Sequence, residues 1–154
     1  SLGPDAKDHL PSPSGLAARL QRSRRQVKEV LMDQTVVAGL GNIQVTEALF
    51  LARIHPARRA DSLTPSEVVR IRQGIVRSLA RTLAMNKGDK ITYVEESKRV
   101  ENPFLVYGKA KSPCPRCGTP LKKTVIGGRT SAFCPHCQAR TSGRGAVGRA
   151  RRRK

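Results

Sequence analysis

Four cysteines carry the clearest chemistry in this sequence, and they come in two pairs, Cys114-Pro-Arg-Cys117 and Cys134-Pro-His-Cys137, with sixteen residues between them. Each C-x2-C turn presents two thiolates, and two such turns can place four sulfurs at the corners of a tetrahedron, which is how a structural zinc ion is held. Disulfides are the competing use, but the opening residues lack a basic-then-apolar secretory pattern, and thiols of a reducing compartment stay unpaired. The spacing predicts one structural zinc ion on Cys114, Cys117, Cys134 and Cys137. His136 sits inside the second pair, a poor position for joining the same shell, so it is expected to be exposed. His55, before Pro56, is expected to be structural.

Something must bring the two turns together, and the segment between them, LKKTVIGGRTSAF, has β-branched residues on both sides of Gly127-Gly128. That pattern predicts a hairpin turning on the glycine pair. Arg129 follows the turn directly, where a cation can reach phosphates or simply face solvent.

A second stretch, VAGLGNIQVTEALF over residues 37–50, raises a different possibility. A turn ending in Gly41-Asn42 and entering a helix exposes backbone N–H groups at the positive end of that helix, which suits a phosphate. A helix-ending glycine followed by an Asn N-cap would account for the same letters.

The helices around these motifs are signalled by their starts. Ser12-Pro13 precedes an apolar face carrying Leu16 and Leu20. Ser23 and Gln26 match a capping box ahead of Val27, Val30 and Leu31, with the helix expected to run to about Asp33. Ile43, Leu49 and Phe50 predict a third helix that stops before His55-Pro56. Thr64-Pro65-Ser66-Glu67 opens a fourth, on which Val68, Ile71, Ile75, Leu79 and Leu83 share a face. Arg70, Arg77 and Arg81 fall on the other side and are read as a solvated face. Residues 86–103 are polar and read as a linker loop, and FLVYGK after them as a short strand. The expected organisation is therefore an interdomain segment (1–11), a helical domain (12–85), the linker (86–103), a four-cysteine zinc hairpin (104–139) and a basic disordered tail (140–154). The fold class is mainly α with a small β zinc-finger hairpin.

Charge narrows the partner. Thirty Lys and Arg against 11 Asp and Glu give a formal net charge of +19 over 154 residues, which draws polyanions to the surface. Aromatic residues are only 3% and Trp is absent, which disfavours single-strand readers that stack bases and favours a protein gripping duplex backbone. No apolar run approaches the roughly 20 residues of a spanning helix, so no membrane partner is expected. The chain reads as an intracellular monomer of the cytoplasm, associated with the nucleoid.

Taken together, LMDQTVVAGLGNIQVTEALF…IHP and VYGK…CPRCG…GGRTSAFCPHC resemble the C-terminal half of the formamidopyrimidine-DNA glycosylase and endonuclease VIII family, over about residues 2–138. The resemblance implies a helix-two-turns-helix domain followed by a zinc-bound hairpin, which together clamp damaged double-stranded DNA around an everted nucleotide. It implies that Gly41 and Asn42 meet a backbone phosphate beside the lesion, that Arg129 grips neighbouring phosphates, and that Lys28, the lysine before LMD, is a further contact. Glu47 also matches, but a carboxylate beside DNA would repel it, so a structural hydrogen bond is expected.

The family's chemistry uses an N-terminal proline amine as Schiff-base nucleophile and a glutamate, both on a preceding β-sandwich, and SLGPD resembles the segment that joins the two halves. No residue here is therefore assigned a catalytic role. The chain is expected to bind DNA without cleaving a glycosidic bond, its partner in catalysis being an N-terminal domain of the same protein. The Gly-Lys-Pro-Gly-Tyr-Phe signature of the oxidised-purine branch is missing from residues 86–106, which leaves the damaged base open between purine and pyrimidine. The alternatives are a stand-alone zinc-ribbon protein directed at nucleic acid without catalysis, and a zinc module for protein contacts.

Overall fold

The computed structural model describes residues 2–95 and 102–140. Four helices, α1 (Pro13–Gln21), α2 (Val27–Leu31), α3 (Asn42–Ala52) and α4 (Pro65–Glu95), precede the antiparallel strands β1 (Lys122–Ile126) and β2 (Arg129–Phe133). A single turn of 3-10 helix, Ala60–Ser62, leads into α4.

The capping signals explain two of these starts. Ser12 Oγ accepts from the Gly15 N–H at 3.2 Å with Pro13 in the first turn of α1, as its sequence requires. At α4 the Thr64 hydroxyl accepts from Glu67 N–H at 3.2 Å, and the Glu67 carboxylate accepts from Thr64 N–H at 2.9 Å, a reciprocal box. Glu67 also takes both Nη groups of Arg58, at 3.0 and 2.9 Å, in a buried bidentate pair.

Three expectations are corrected. The Ser23–Gln26 box does not form: Gln26 is the N-cap of α2 without a side-chain bond, and Ser23 Oγ instead accepts from Arg25 N–H. The helix is correspondingly short, ending at Leu31 rather than Asp33. Residues 86–95 are helix, not linker, because α4 runs on to Glu95. Once a helix is nucleated each added residue gains a bond at low cost, and nothing in that stretch is a proline. Beyond the core, however, the apolar face of α4 outlasts its partners: Val68, Ile71 and Ile75 are buried, while Leu83 is 45% exposed. The remainder of the expected linker up to residue 101 lies outside the described residues, as does the tail from residue 141.

The third correction concerns FLVYGK, which forms bends and turns instead of a strand. Its N–H groups are taken by a side chain: the Glu47 carboxylate accepts from Leu105, Val106 and Tyr107 at 2.7, 2.8 and 2.9 Å. That is the structural role expected of Glu47, and it ties α3 to the chain entering the zinc hairpin.

Two apolar clusters hold the molecule. The larger joins Leu16, Leu20, Val30, Leu31, Leu49 and Ile71 with their neighbours; the smaller joins Phe50 to Val106, Cys114, Leu121, Ala132 and Cys134. Helices α3 and α4 approach closely because residue 74 is glycine, where a Cβ would sit 2.4 Å from the Ala48 carbonyl oxygen. The N-terminal segment is sewn onto the α2–α3 connection: Gly3 N–H donates to Gln34 O, Ala6 N–H to Ala38 O and Ala38 N–H to Pro4 O.

Candidate nucleic-acid interface and metal centre

The α2–α3 connection is braced by one side chain that sequence reasoning missed. Gln34 Oε1 accepts from Gly39 N–H at 2.9 Å while its Nε2 donates to the carbonyls of Leu40 at 3.1 Å and Met32 at 3.2 Å. Gly39 has φ of 94°, which a side chain rarely adopts. The connection delivers Gly41 as N-cap of α3, with no side-chain cap, and Asn42 as its first helical residue. The first N–H groups of α3 thus have no partner within the helix. Gly41 is exposed, and a Cβ built on it would meet nothing within 4 Å. The fold itself does not demand a glycine there.

The hairpin forms on the predicted turn. Ile126 pairs with Arg129 across Gly127-Gly128, whose φ values of 59° and 80° are the left-handed pair that a two-residue turn needs. A Cβ on Gly127 would lie 3.5 Å from Glu29 Cγ, so the turn rests over α2.

That placement brings the predicted residues of three elements together. The carbonyl oxygen of Thr130 on β2 accepts from Lys28 Nζ at 3.2 Å and from Asn42 Nδ2 at 3.3 Å. Arg129, next to Thr130, is exposed. Lys28 is fully buried, and no carboxylate pairs with it among the described residues. Burial first, and then the Arg129 guanidinium, pulls its ammonium pKa from 10.5 down to about 8. Asn42 Oδ1 is buried without a partner. The result is a cationic corner in which neither Lys28 nor Arg129 is ion-paired among the described residues, with the Glu29 carboxylate at its edge, beneath the Gly127-Gly128 turn.

Arg70, Arg77 and Arg81 are not part of it. Arg70 Nε donates to the Ala52 carbonyl at the end of α3 and Arg81 to the Pro103 carbonyl, while Arg77 is exposed.

The four cysteine sulfurs lie within 4.8 Å of one another. Cys114 and Cys137 are 3.9 Å apart and Cys117 and Cys134 3.6 Å, close to the separation of about 3.8 Å that a tetrahedron of zinc–sulfur bonds of about 2.3 Å imposes. Backbone N–H groups of Arg116 and Cys137 donate to Cys114 Sγ and Cys134 Sγ, as knuckle turns do. The donor set fits a structural zinc. His136 is exposed, as expected.

The zinc unit is bolted to the helical domain by contacts with no local sequence signal. Gln138, 1% exposed, accepts from Cys134 N–H at 2.8 Å and donates to the Ile54 carbonyl at 3.0 Å. Arg116 lies 4.1 Å over the Phe50 ring and donates to the Phe50 carbonyl. His55 packs on Phe133 with ring centroids 4.5 Å apart, and its Nδ1 accepts from Ala57 N–H. Burial, then the nearby Arg140 and Arg58, lowers its pKa to about 4, so it is a neutral structural histidine.

Two helices joined through a double turn, with a four-cysteine hairpin clamped against the second, define a helix-two-turns-helix domain with a zinc finger. The family models agree: the formamidopyrimidine-DNA glycosylase H2TH domain matches residues 2–94, and the zinc finger found in FPG and IleRS matches residues 111–140. The chain belongs to the formamidopyrimidine-DNA glycosylase family.

It is 42% identical over 140 residues to the formamidopyrimidine-DNA glycosylase of Geobacillus kaustophilus, covering 89% of this chain and 51% of that protein. The chain spans about half the length of the curated relatives it matches. Among solved structures, MutM (Fpg) from Thermus thermophilus superposes with a TM-score of 0.77 at 33% identity, covering 92% of this chain and 55% of that one. The Lactococcus lactis enzyme, non-covalently bound to DNA containing an AP site, superposes with a TM-score of 0.75 at 31% identity, covering 90% and 50%. Among the described residues no helix is long and apolar enough to cross a membrane.

Proposed function

We propose that this chain is the DNA-gripping half of a base-excision-repair glycosylase and AP lyase, holding damaged duplex by its backbone phosphates. The observation that carries this reading is the meeting of Lys28 and Asn42 on the Thr130 carbonyl beside Arg129, at the uncapped start of α3. A buried lysine without a carboxylate is a costly arrangement that an incoming phosphate relieves. Gly41, which the fold leaves free to carry a side chain, keeps the helix start open to a phosphodiester. Catalysis is assigned to a β-sandwich domain of the same protein, whose proline amine would attack the sugar; the whole acts as a monomer in the cytoplasm, at the nucleoid.

For the lesion, we favour oxidised purines. The relatives are formamidopyrimidine-DNA glycosylases, and structural neighbours were solved with Fapy-dG and carbocyclic 8-oxo-G DNA. The competing reading, a non-catalytic zinc-ribbon protein, lacks any comparable support.

The test is a salt-dependent titration of the zinc-loaded chain against a duplex with an abasic-site analogue and an undamaged one. Tighter binding to the damaged duplex, with affinity falling steeply with salt, is expected. Binding indifferent to both salt and damage would overturn the proposal.

A further inference from the structure

A second cationic site lies at the other end of the α2–α3 connection. A cleft of about 450 Å³ opens between the end of α1 and this connection, its charged lining being Arg19, Arg22, Arg25 and Asp33, with hydroxyls from Ser23 and Thr35. Val30 and Val36 line its apolar part.

The charges in the cleft do not balance. Arg25 is spoken for: its Nη2 lies 2.9 Å from Asp33 Oδ2 and its Nε donates to Ser23 Oγ. Asp33 is likewise saturated, accepting from Thr35 N–H and the Thr35 hydroxyl as well, and these bonds with Arg25 hold its pKa down at about 2. Arg19 and Arg22 have no ion-pair partner among the described residues. Arg19 is half-buried and Arg22 is the exposed C-cap of α1, and both arginines line the cleft beside Val30 and Val36. Ser23 Oγ accepts from Arg25 twice, which leaves its proton free to donate.

We infer that this cleft binds a second phosphodiester of the duplex, separate from the Gly41–Asn42 corner, with Arg19 and Arg22 as the contacting cations and Arg25–Asp33 as a fixed wall. The inference rests on the DNA-binding reading above. One connection supplies both places, Thr35 to the cleft and Gly41 to the helix start. A phosphodiester is favoured over an acidic peptide because two forked guanidiniums match phosphate oxygens and the chain's net charge of +19 already concentrates nucleic acid.

The experiment measures the slope of log K against log salt for the abasic-site duplex, with wild-type chain, with Arg19→Gln/Arg22→Gln, and with a charge-matched control, Lys7→Gln/Arg77→Gln. Each lost phosphate contact lowers the slope by about 0.9, so the cleft variant should fall by about 0.9 to 1.8 while the control stays near wild type. Equal slopes for the cleft variant and wild type, with wild-type binding intact, overturn this site and leave the Asn42 corner untouched. The same holds if both double variants fall alike, since charge alone would then explain the effect. Displacement by a polyglutamate peptide that only the cleft variant resists, without change in DNA slope, also overturns it in favour of a protein partner. A wild-type chain that binds no DNA overturns both readings at once.

Discussion

Lys28 Nζ donates to the Thr130 carbonyl oxygen at 3.2 Å, joining α2 to β2 across 102 positions of sequence. This bond makes the lysine both a strut for the hairpin and a buried charge, and its titration separates the two roles. With a folded pKa near 8 against 10.5, the folded state holds fewer protons than the unfolded one between those values. The cost of burying the ammonium is therefore fully present below pH 8 and is relieved as pH climbs towards 10.5, so stability contributed by this group rises with pH. DNA affinity should move the other way, falling above pH 8 as the charge is lost. Lys28→Met should bind weakly but show a flat profile from about pH 8 to 10; a profile parallel to wild type would rule out Lys28 as the titrating contact.

At the helix start, Asn42→Ala and Arg129→Ala should each weaken binding to the abasic-site duplex by about 1 to 3 kcal/mol, the loss of charge-assisted hydrogen bonds. Asn42→Asp should be worse than Asn42→Ala, because it sets a carboxylate where a phosphate is to sit. Unchanged affinity in folded variants would remove both residues from the interface.

Gln34 touches no proposed ligand yet shapes the turn that does. Gln34→Glu keeps the acceptor for Gly39 N–H and loses the donor to Leu40 and Met32. It should weaken DNA binding by about 1 kcal/mol and leave zinc content alone, with Gln34→Ala weaker still. Wild-type affinity in both would show that the backbone holds the turn without help.

Zinc loss should propagate beyond the finger. In Cys134→Ser the hairpin should melt, since metal-binding energy in such small units is largely folding energy. The Thr130 carbonyl then leaves Lys28 and Asn42, and DNA binding should fall even though neither residue is altered. Stoichiometric zinc and intact hairpin resonances in the variant would contradict this account.

Some of this molecule could be read directly from its letters, and for local reasons. Each C-x2-C pair of zinc ligands, the Gly127-Gly128 turn and the Thr64–Glu67 box depend on residues within a few positions of one another, and the hairpin between the pairs brings the two knuckles together, so local spacing dictates their geometry. The glycine-bearing turn ahead of α3 was legible for the same reason, although the helix takes in Asn42 itself, with Gly41 as its N-cap. Where sequence reasoning failed, a distant partner had intervened. FLVYGK has strand composition, but three of its N–H groups go to Glu47, far back in the chain, so no ladder forms. Residues 86–95 look like loop, but they extend a helix nucleated at Thr64. Sequence by itself settled which residues bind zinc and which turn begins α3. Only the tertiary structure decided that Lys28, Asn42 and Arg129 form one corner, because a hydrogen bond to the Thr130 carbonyl depends on how the hairpin docks, and Gln138, Arg116 and Glu47 fix that docking through contacts no local pattern announces.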